Sequence, residues 1–444
     1  MYDDCIMVES MSIPSKRVFV MVMCVGVVCG QAPPGARESD PNVLGWMQGT
    51  PPAPEKIIRI EDGSFLRFPQ MRWSFSHMRE LVPTVNVSRG AGPVAVLPRA
   101  ERAEIDSIAY TPLGATAAST WRESLEANYT DGIVVLHRGR IVYERYFGAL
   151  GPEGQHIAMS VTKSFFGTIA ATLIAEGKID AKATVGRYLP ELKDSGFGDA
   201  TVQQVLDMTT GVKFVEDYTD PASDYFGYRS VHQPFLRPAG YAGPEHVYAY
   251  LATLEKKIEH GAAFKYRSVH TDVLGWIMAR VTGKAPAALL SERIWGPMGA
   301  EDDASLRVGP AGIQMAAGGL SCRLRDFARF GEMMRLDGRF NGRQIVPAAV
   351  VADIRKGGSQ AAFAGAGYKT LPGGSYRNQW WILHNGHGAF AARGIHGQGI
   401  YVDPKAEMVI ARFASSPVAG NLGIDPTTLP AYAALAEHLM RLPR

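Results

Sequence analysis

Cysteine is scarce in this chain, and its placement makes it scarcer still. Of the four cysteines, Cys5, Cys24 and Cys29 lie within residues 1–30, so a chain processed there keeps only Cys322. One cysteine forms neither an intramolecular disulfide nor a multi-thiolate zinc site, and in the small-residue stretch AAGGLSC its expected role is packing. Charge of one sign is missing too. Lys+Arg number 46 against 43 Asp+Glu, which excludes the basic stripe of a nucleic-acid binder. No apolar run reaches the roughly 20 residues that span a bilayer. G-x-S-x-G, H-E-x-x-H and G-x-x-x-x-G-K are all absent, which removes the main competing hydrolase and nucleotide-binding readings. The 11 histidines show no close metal-ligand spacing on one helix, with His270 and His396 better suited to pocket lining. No metal or cofactor is called for.

What is present is ordinary globular composition, 46% hydrophobic and 20% charged over 444 residues, enough for one large core plus a subdomain. Lys16 and Arg17 precede the apolar run VFVMVMCVGVVCG, followed by small residues and a Pro/Gly-rich stretch. That order predicts a signal peptide at 1–30 and a periplasmic or secreted protein, with an uncleaved short anchor as the competing reading. Contact with membrane is expected only through that segment. The acids before Lys16 point to translation from Met7 or Met11. Residues 31–100 read as an amino-terminal extension packing on a main domain at 101–444.

Within that domain, GIVVLHRGRIVYERYF alternates around a turn-like HRGR and predicts a hairpin, and GIYVDPKAEMVIARFAS predicts a second one near the carboxyl end. Between them SFFGTIAATLIAEG, TDVLGWIMARVTG and LRDFARFGEMMRLDG are helix-like segments closed by glycine. The expected fold is therefore α+β: an antiparallel sheet from both chain ends, flanked by helices, with a mostly helical insertion at roughly 176–370.

The sharpest local feature is Ser160-Val161-Thr162-Lys163, the only S-x-x-K in the chain, opening the apolar run Phe165–Ala175. Residues three apart share a helix face, and burial of Lys163 would lower its pKa so that a neutral amine could accept the serine proton. Tyr266-Arg267-Ser268 precedes a second helical run, and its phenol could act as base only beside a cation such as Lys163. AARGIHGQG at 391–399 supplies glycines where backbone can approach a substrate and add an N–H to an oxyanion hole. Trp380, Trp381 and Phe390 suggest an apolar pocket wall.

In this order Ser160-x-x-Lys163, Tyr266-x-Ser268 and Gly394-Ile395 resemble the three motifs of the serine β-lactamase and penicillin-binding superfamily. MRWSFSHMRE, EDYTDPASDY, FKYRSVHTDVLGWI, YRNQWW and RGIHGQGIYVDP resemble, within it, the 6-aminohexanoate-dimer hydrolases and class C-like carboxylesterases. The resemblance implies a β-lactamase/DD-peptidase-like fold, Ser160 as nucleophile, Lys163 and Tyr266 as the acid/base pair, and an oxyanion hole from the backbone N–H groups of Ser160 and Ile395. It also implies Tyr218 on a closing loop as proton donor to an amide leaving group, with Ser268, His270, Ala317, Gly394 and Trp380 against substrate. Three departures matter. Met315-Ala316-Ala317-Gly318-Gly319 lacks the asparagine of the amide hydrolases, His270 stands in place of the asparagine after the second motif, and Ala392-Arg393 replaces the third-motif lysine, with Arg393 as a partial substitute. The expected activity is thus serine hydrolysis of small esters, with linear amides second. A D-alanyl-D-alanine carboxypeptidase or weak β-lactamase is the alternative enzyme, and a cell-wall or acyl-ligand binder the alternative without turnover. Oligomeric state is not legible in the chain.

Overall fold

The computed structural model describes residues 32–443, so the expected signal peptide lies outside the described residues. Apart from the first few, they belong to one compact unit that starts at Pro34. The hairpin read at HRGR forms between the strands Thr130–His137 and Arg140–Tyr146, where Arg138 and Gly139 take positive φ of 49° and 75°, as a tight two-residue hairpin turn requires. The late strands Gly399–Asp403 and Met408–Ala414 pair antiparallel, and the second lies beside Thr130–His137, with Val409 opposite Leu136 and Ile410 opposite Val135. Early and late strands thus meet in a seven-stranded antiparallel sheet, with Arg140–Tyr146 at one edge and Phe390–Arg393, Trp380–Ile382 and Ser375–Arg377 extending it to the other.

Helix Leu324–Arg335 packs on this sheet at Gly331, where a Cβ would fall 2.6 Å from Val409 Cγ1 and 2.7 Å from Ile400 Cγ2. Any larger residue there must push helix and sheet apart. Helix Val161–Ala175 is buried without a break from Val161 to Leu173, because its sequence is apolar nearly all round and other elements cover it. Phe165 stacks on Phe330 at 3.7 Å between ring centroids, tying this helix to Leu324–Arg335. Helix Val269–Thr282 also packs against it and ends at Gly283 with φ 67°.

The regular structure of the span 176–370 is mostly helical, and it also holds four strands, of which Arg339–Phe340 and Arg343–Gln344 pair with each other, leaving Ala304–Arg307 and Leu320–Arg323. These sit in a separate four-stranded sheet between Thr84–Val87 and Gln155–Ile157. The extension therefore contributes a strand, with Thr84 opposite Arg307. Phe65, Met71, Phe75 and Met78 form a cluster with Ile157 and Met159, which backs the residue immediately before Ser160. Cys322 is fully buried and free in this sheet, and burial pushes its thiol pKa well up.

Candidate active site

Ser160 stands at the start of helix Val161–Ala175, preceded by Met159 in a left-handed conformation with φ 46°. A non-glycine residue held there stores conformational strain of the kind that gathers at functional sites. One helical turn on, Lys163 Nζ lies 2.8 Å from Ser160 Oγ and donates to the Ala317 carbonyl at 2.5 Å. Lys163 is only 1% exposed. Burial lowers its pKa to about 8, against the opposing pull of Glu216 and Asp272. The amine is thus held with one hydrogen committed to a carbonyl and its remaining valence turned to the serine.

Tyr266 reaches the same point from the loop before helix Val269–Thr282. Its phenol has Ser160 as a hydrogen-bond partner, its ring stacks on Trp381 at 5.6 Å, and Lys163 Nζ lies 5.3 Å from its centroid. Burial and the nearby Glu216 carboxylate raise the Tyr266 pKa well above that of a free phenol. A phenolate is therefore disfavoured at rest, and the Lys163 amine, which loses its proton at about pH 8, is the member of the pair able to take one from the serine.

Ser160, Tyr218, Tyr266, Gly394 and Ile395 line one cleft of about 200 Å³. Gly394 belongs there for a steric reason: a Cβ would fall 2.9 Å from the Ala158 carbonyl and 3.1 Å from Met159 Cβ. The strand Phe390–Arg393 thus ends against the backbone leading into Ser160. Among the described residues, neither the Ser160 nor the Ile395 N–H donates to a backbone acceptor.

The structure leaves five of the expected pocket residues outside the cleft lining. Trp380 is fully buried, its indole donating to Thr168 Oγ1 at 3.0 Å. The strand's alternation sends the neighbouring Trp381 to the cleft instead. Phe390 is likewise core. His270 is fully buried, donating from Nδ1 to the Arg267 carbonyl at 3.1 Å while Nε2 accepts from the Thr210 hydroxyl at 2.7 Å. Burial lowers its pKa well below that of a free imidazole, so it stays neutral and structural. Ala317 lies outside the cleft lining and acts through its carbonyl on Lys163. His396 lies outside it too, bonded through Nδ1 to the Ser416 carbonyl.

Ser268, also expected against substrate, is absent from the cleft lining and is held instead by Glu216, to which the sequence reading gave no role. Glu216 accepts from the Ser268 N–H at 2.5 Å, from the Ser268 hydroxyl at 2.7 Å and from the Tyr218 hydroxyl at 2.5 Å. Its only sequence signal was its place at the head of EDYTDPASDY. Tyr368, Asn421 and Asp425 also line the cleft, drawn from segments with no motif at all.

The beta-lactamase family model matches residues 123–429. This chain belongs to that family. It is 35% identical over 399 residues to a 6-aminohexanoate-dimer hydrolase of Paenarthrobacter ureafaciens, covering 87% of this chain and 92% of the relative. A candidate 6-aminohexanoate-dimer hydrolase structure from Bacillus anthracis superposes with a TM-score of 0.78 at 36% identity, covering 86% of this chain and 97% of that one. A D-stereospecific amidohydrolase from Streptomyces sp. shares the fold, with a TM-score of 0.52 at 19% identity over 68% of this chain and 96% of its own. The α+β fold expected from the motifs is the observed one, and the chain is a hydrolase of the beta-lactamase fold.

Within this family site, Gly394→Ala should lower both melting temperature and turnover, because the added methyl must displace the Ala158–Met159 backbone by several tenths of an ångström. A melt and an ester assay on the same preparation check it, and an unchanged pair of values would show that the strand end yields freely.

Proposed function

We propose that this hydrolase cleaves small carboxylic esters, with short linear amides as its second substrate class, through an acyl-enzyme on Ser160. The observation that carries the reading is the buried Lys163 amine, 2.8 Å from Ser160 Oγ and shifted to about 8. Neutral Lys163 takes the serine proton as Oγ bonds to the substrate carbonyl carbon. The backbone N–H groups of Ser160 and Ile395 receive the oxyanion, each contributing about 10²-fold or more in rate. As the intermediate collapses, the carbon–oxygen or carbon–nitrogen bond breaks. The leaving group takes the Tyr266 proton, and the Lys163 ammonium restores the phenol. Water then repeats the sequence on the acyl-enzyme and releases the acid. This division of labour follows from the opposite pKa shifts of the two groups.

The deciding comparison is hydrolysis of a short-chain nitrophenyl ester beside the linear 6-aminohexanoate dimer by the chain lacking residues 1–30. Ester turnover with little amide turnover is expected, since Ala317 offers no side-chain amide to orient the substrate. Cleavage of neither would favour the carboxypeptidase or ligand-binding alternatives. Tyr218 borders the cleft but gives its hydroxyl to Glu216, so its service to an amide leaving group requires the loop to shift. Tyr218→Phe should accordingly depress any amide turnover by about 10-fold or more while sparing the ester. Equal losses on both substrates would remove Tyr218 from the proton path.

The basic-then-apolar segment before residue 31 supports export of this hydrolase. Fractionation of cells expressing the full chain should find the activity outside the cytoplasm, and an exclusively cytoplasmic, unprocessed product would refute export.

A further inference from the structure

Arg393 and Asp425 both stand on the wall of the cleft that holds Ser160. Arg393 ends the strand Phe390–Arg393, directly before Gly394, and Asp425 opens helix Asp425–Met440. Their guanidinium and carboxylate are in direct contact. The second carboxylate oxygen accepts from the Thr370 hydroxyl at 2.5 Å. The side chains are 11% and 2% exposed, so the pair is largely shielded from solvent ions. The Arg393 guanidinium also lies 5.5 Å from the Trp381 ring centroid, which fixes where its charge would act.

A guanidinium alone on that wall would be a ready receptor for a carboxylate, which it can bind through two parallel N–H donors. Joined to Asp425 it is not. The pair is close to neutral, and an approaching anion meets the Asp425 charge together with that of Glu216, a further carboxylate near the site. Apart from Ser160 and the uncharged Asn421, the remaining wall is mostly aromatic or apolar, with Tyr368, Trp381, Ile395 and Leu422.

We propose that Asp425 is a specificity-determining residue, which neutralises Arg393 and thereby restricts the cleft to acyl groups that carry no carboxylate. The inference rests on the ester-hydrolase reading above. It also accounts physically for a cleft that keeps a cation near the third motif without offering it to anions.

The test compares kcat/KM for p-nitrophenyl butyrate with that for the mono-p-nitrophenyl ester of glutaric acid. The proteins are the unsubstituted chain, Asp425→Asn, Asp425→Ser and the double variant Asp425→Asn with Arg393→Gln. The unsubstituted chain should favour the neutral ester by about 10-fold. Each Asp425 variant should move the ratio about 10-fold toward the anionic ester, as expected for an unmatched charge at partly screened range. Adding Arg393→Gln should abolish the gain. The serine variant, smaller and still neutral, serves if asparagine disturbs folding, and the ratio in the unsubstituted chain needs no variant. Equal cleavage of both esters by the unsubstituted chain overturns the proposal. So does a uniform loss in the Asp425 variants, which would mark a structural tie between strand and helix, or a gain that survives without Arg393. Failure to cleave either ester would instead overturn the hydrolase reading on which the proposal stands.

Discussion

Ser160→Ala should lower ester turnover by about 10⁴-fold or more while the chain keeps its fold and its melting temperature within a few degrees. The side chain lost is one hydroxyl at the head of a helix whose burial comes from Val161 to Leu173. Little packing is removed, so the stability effect should stay within the range of a benign substitution. The catalytic effect is large because no second nucleophile stands ready among the described residues: Tyr266 is held as a phenol, and the Ser268 hydroxyl is engaged with Glu216. Residual rate would come from substrate binding and backbone donors alone. Steady-state assay and circular dichroism on the same sample separate the two effects, and an alanine variant retaining a tenth of the activity would end the acyl-enzyme proposal.

Lys163→Met should cost turnover about 10³-fold, and it should make the protein more stable at pH 7. The first expectation follows from losing the group that, among the described residues, lies beside Ser160 with a pKa suited to accepting its proton. The second follows from linkage. Burial lowers the Lys163 pKa from 10.5 to about 8, so between those values the unfolded chain binds more protons than the folded one, and stability rises with pH across that window. Below about pH 8 both states carry the charge, and the folded state bears the full penalty of desolvating it, about 3 kcal/mol at most. Methionine of similar length removes that penalty, less the hydrogen bond to the Ala317 carbonyl. The unsubstituted enzyme should also gain kcat/KM with pH through about 8, as the amine loses its proton, and the methionine variant should lack that limb. A pH profile flat from 6 to 9 would show that Lys163 is not the titrating base.

The sequence made some of this structure plain for local reasons. The hairpin at HRGR was readable because alternation and a tight turn are short-range properties, and both helices around the site stop at or just before a glycine of positive φ, Gly177 and Gly283. S-x-x-K was equally legible, since three residues on a helix determine one face. Trp380 was not, because composition cannot tell which of two adjacent tryptophans on a strand faces the cleft, and register resolved it in favour of Trp381. His270 failed for a similar reason. Its position after the second motif suggested a contact with substrate, while the packing of helix Val269–Thr282 turned it toward Thr210.

The sequence by itself determined the fold class, the family resemblance and the serine–lysine pair, because each rests on spacing within one segment or on motif order along the chain. Tertiary structure decided the rest. It decided that Lys163 is desolvated enough to reach about 8, that Glu216 clamps Ser268 and Tyr218, and that Asp425 meets Arg393 across 32 residues of chain. Those outcomes depend on which distant surfaces come together and how much water they exclude, and electrostatic effects of that kind have no signature in local sequence.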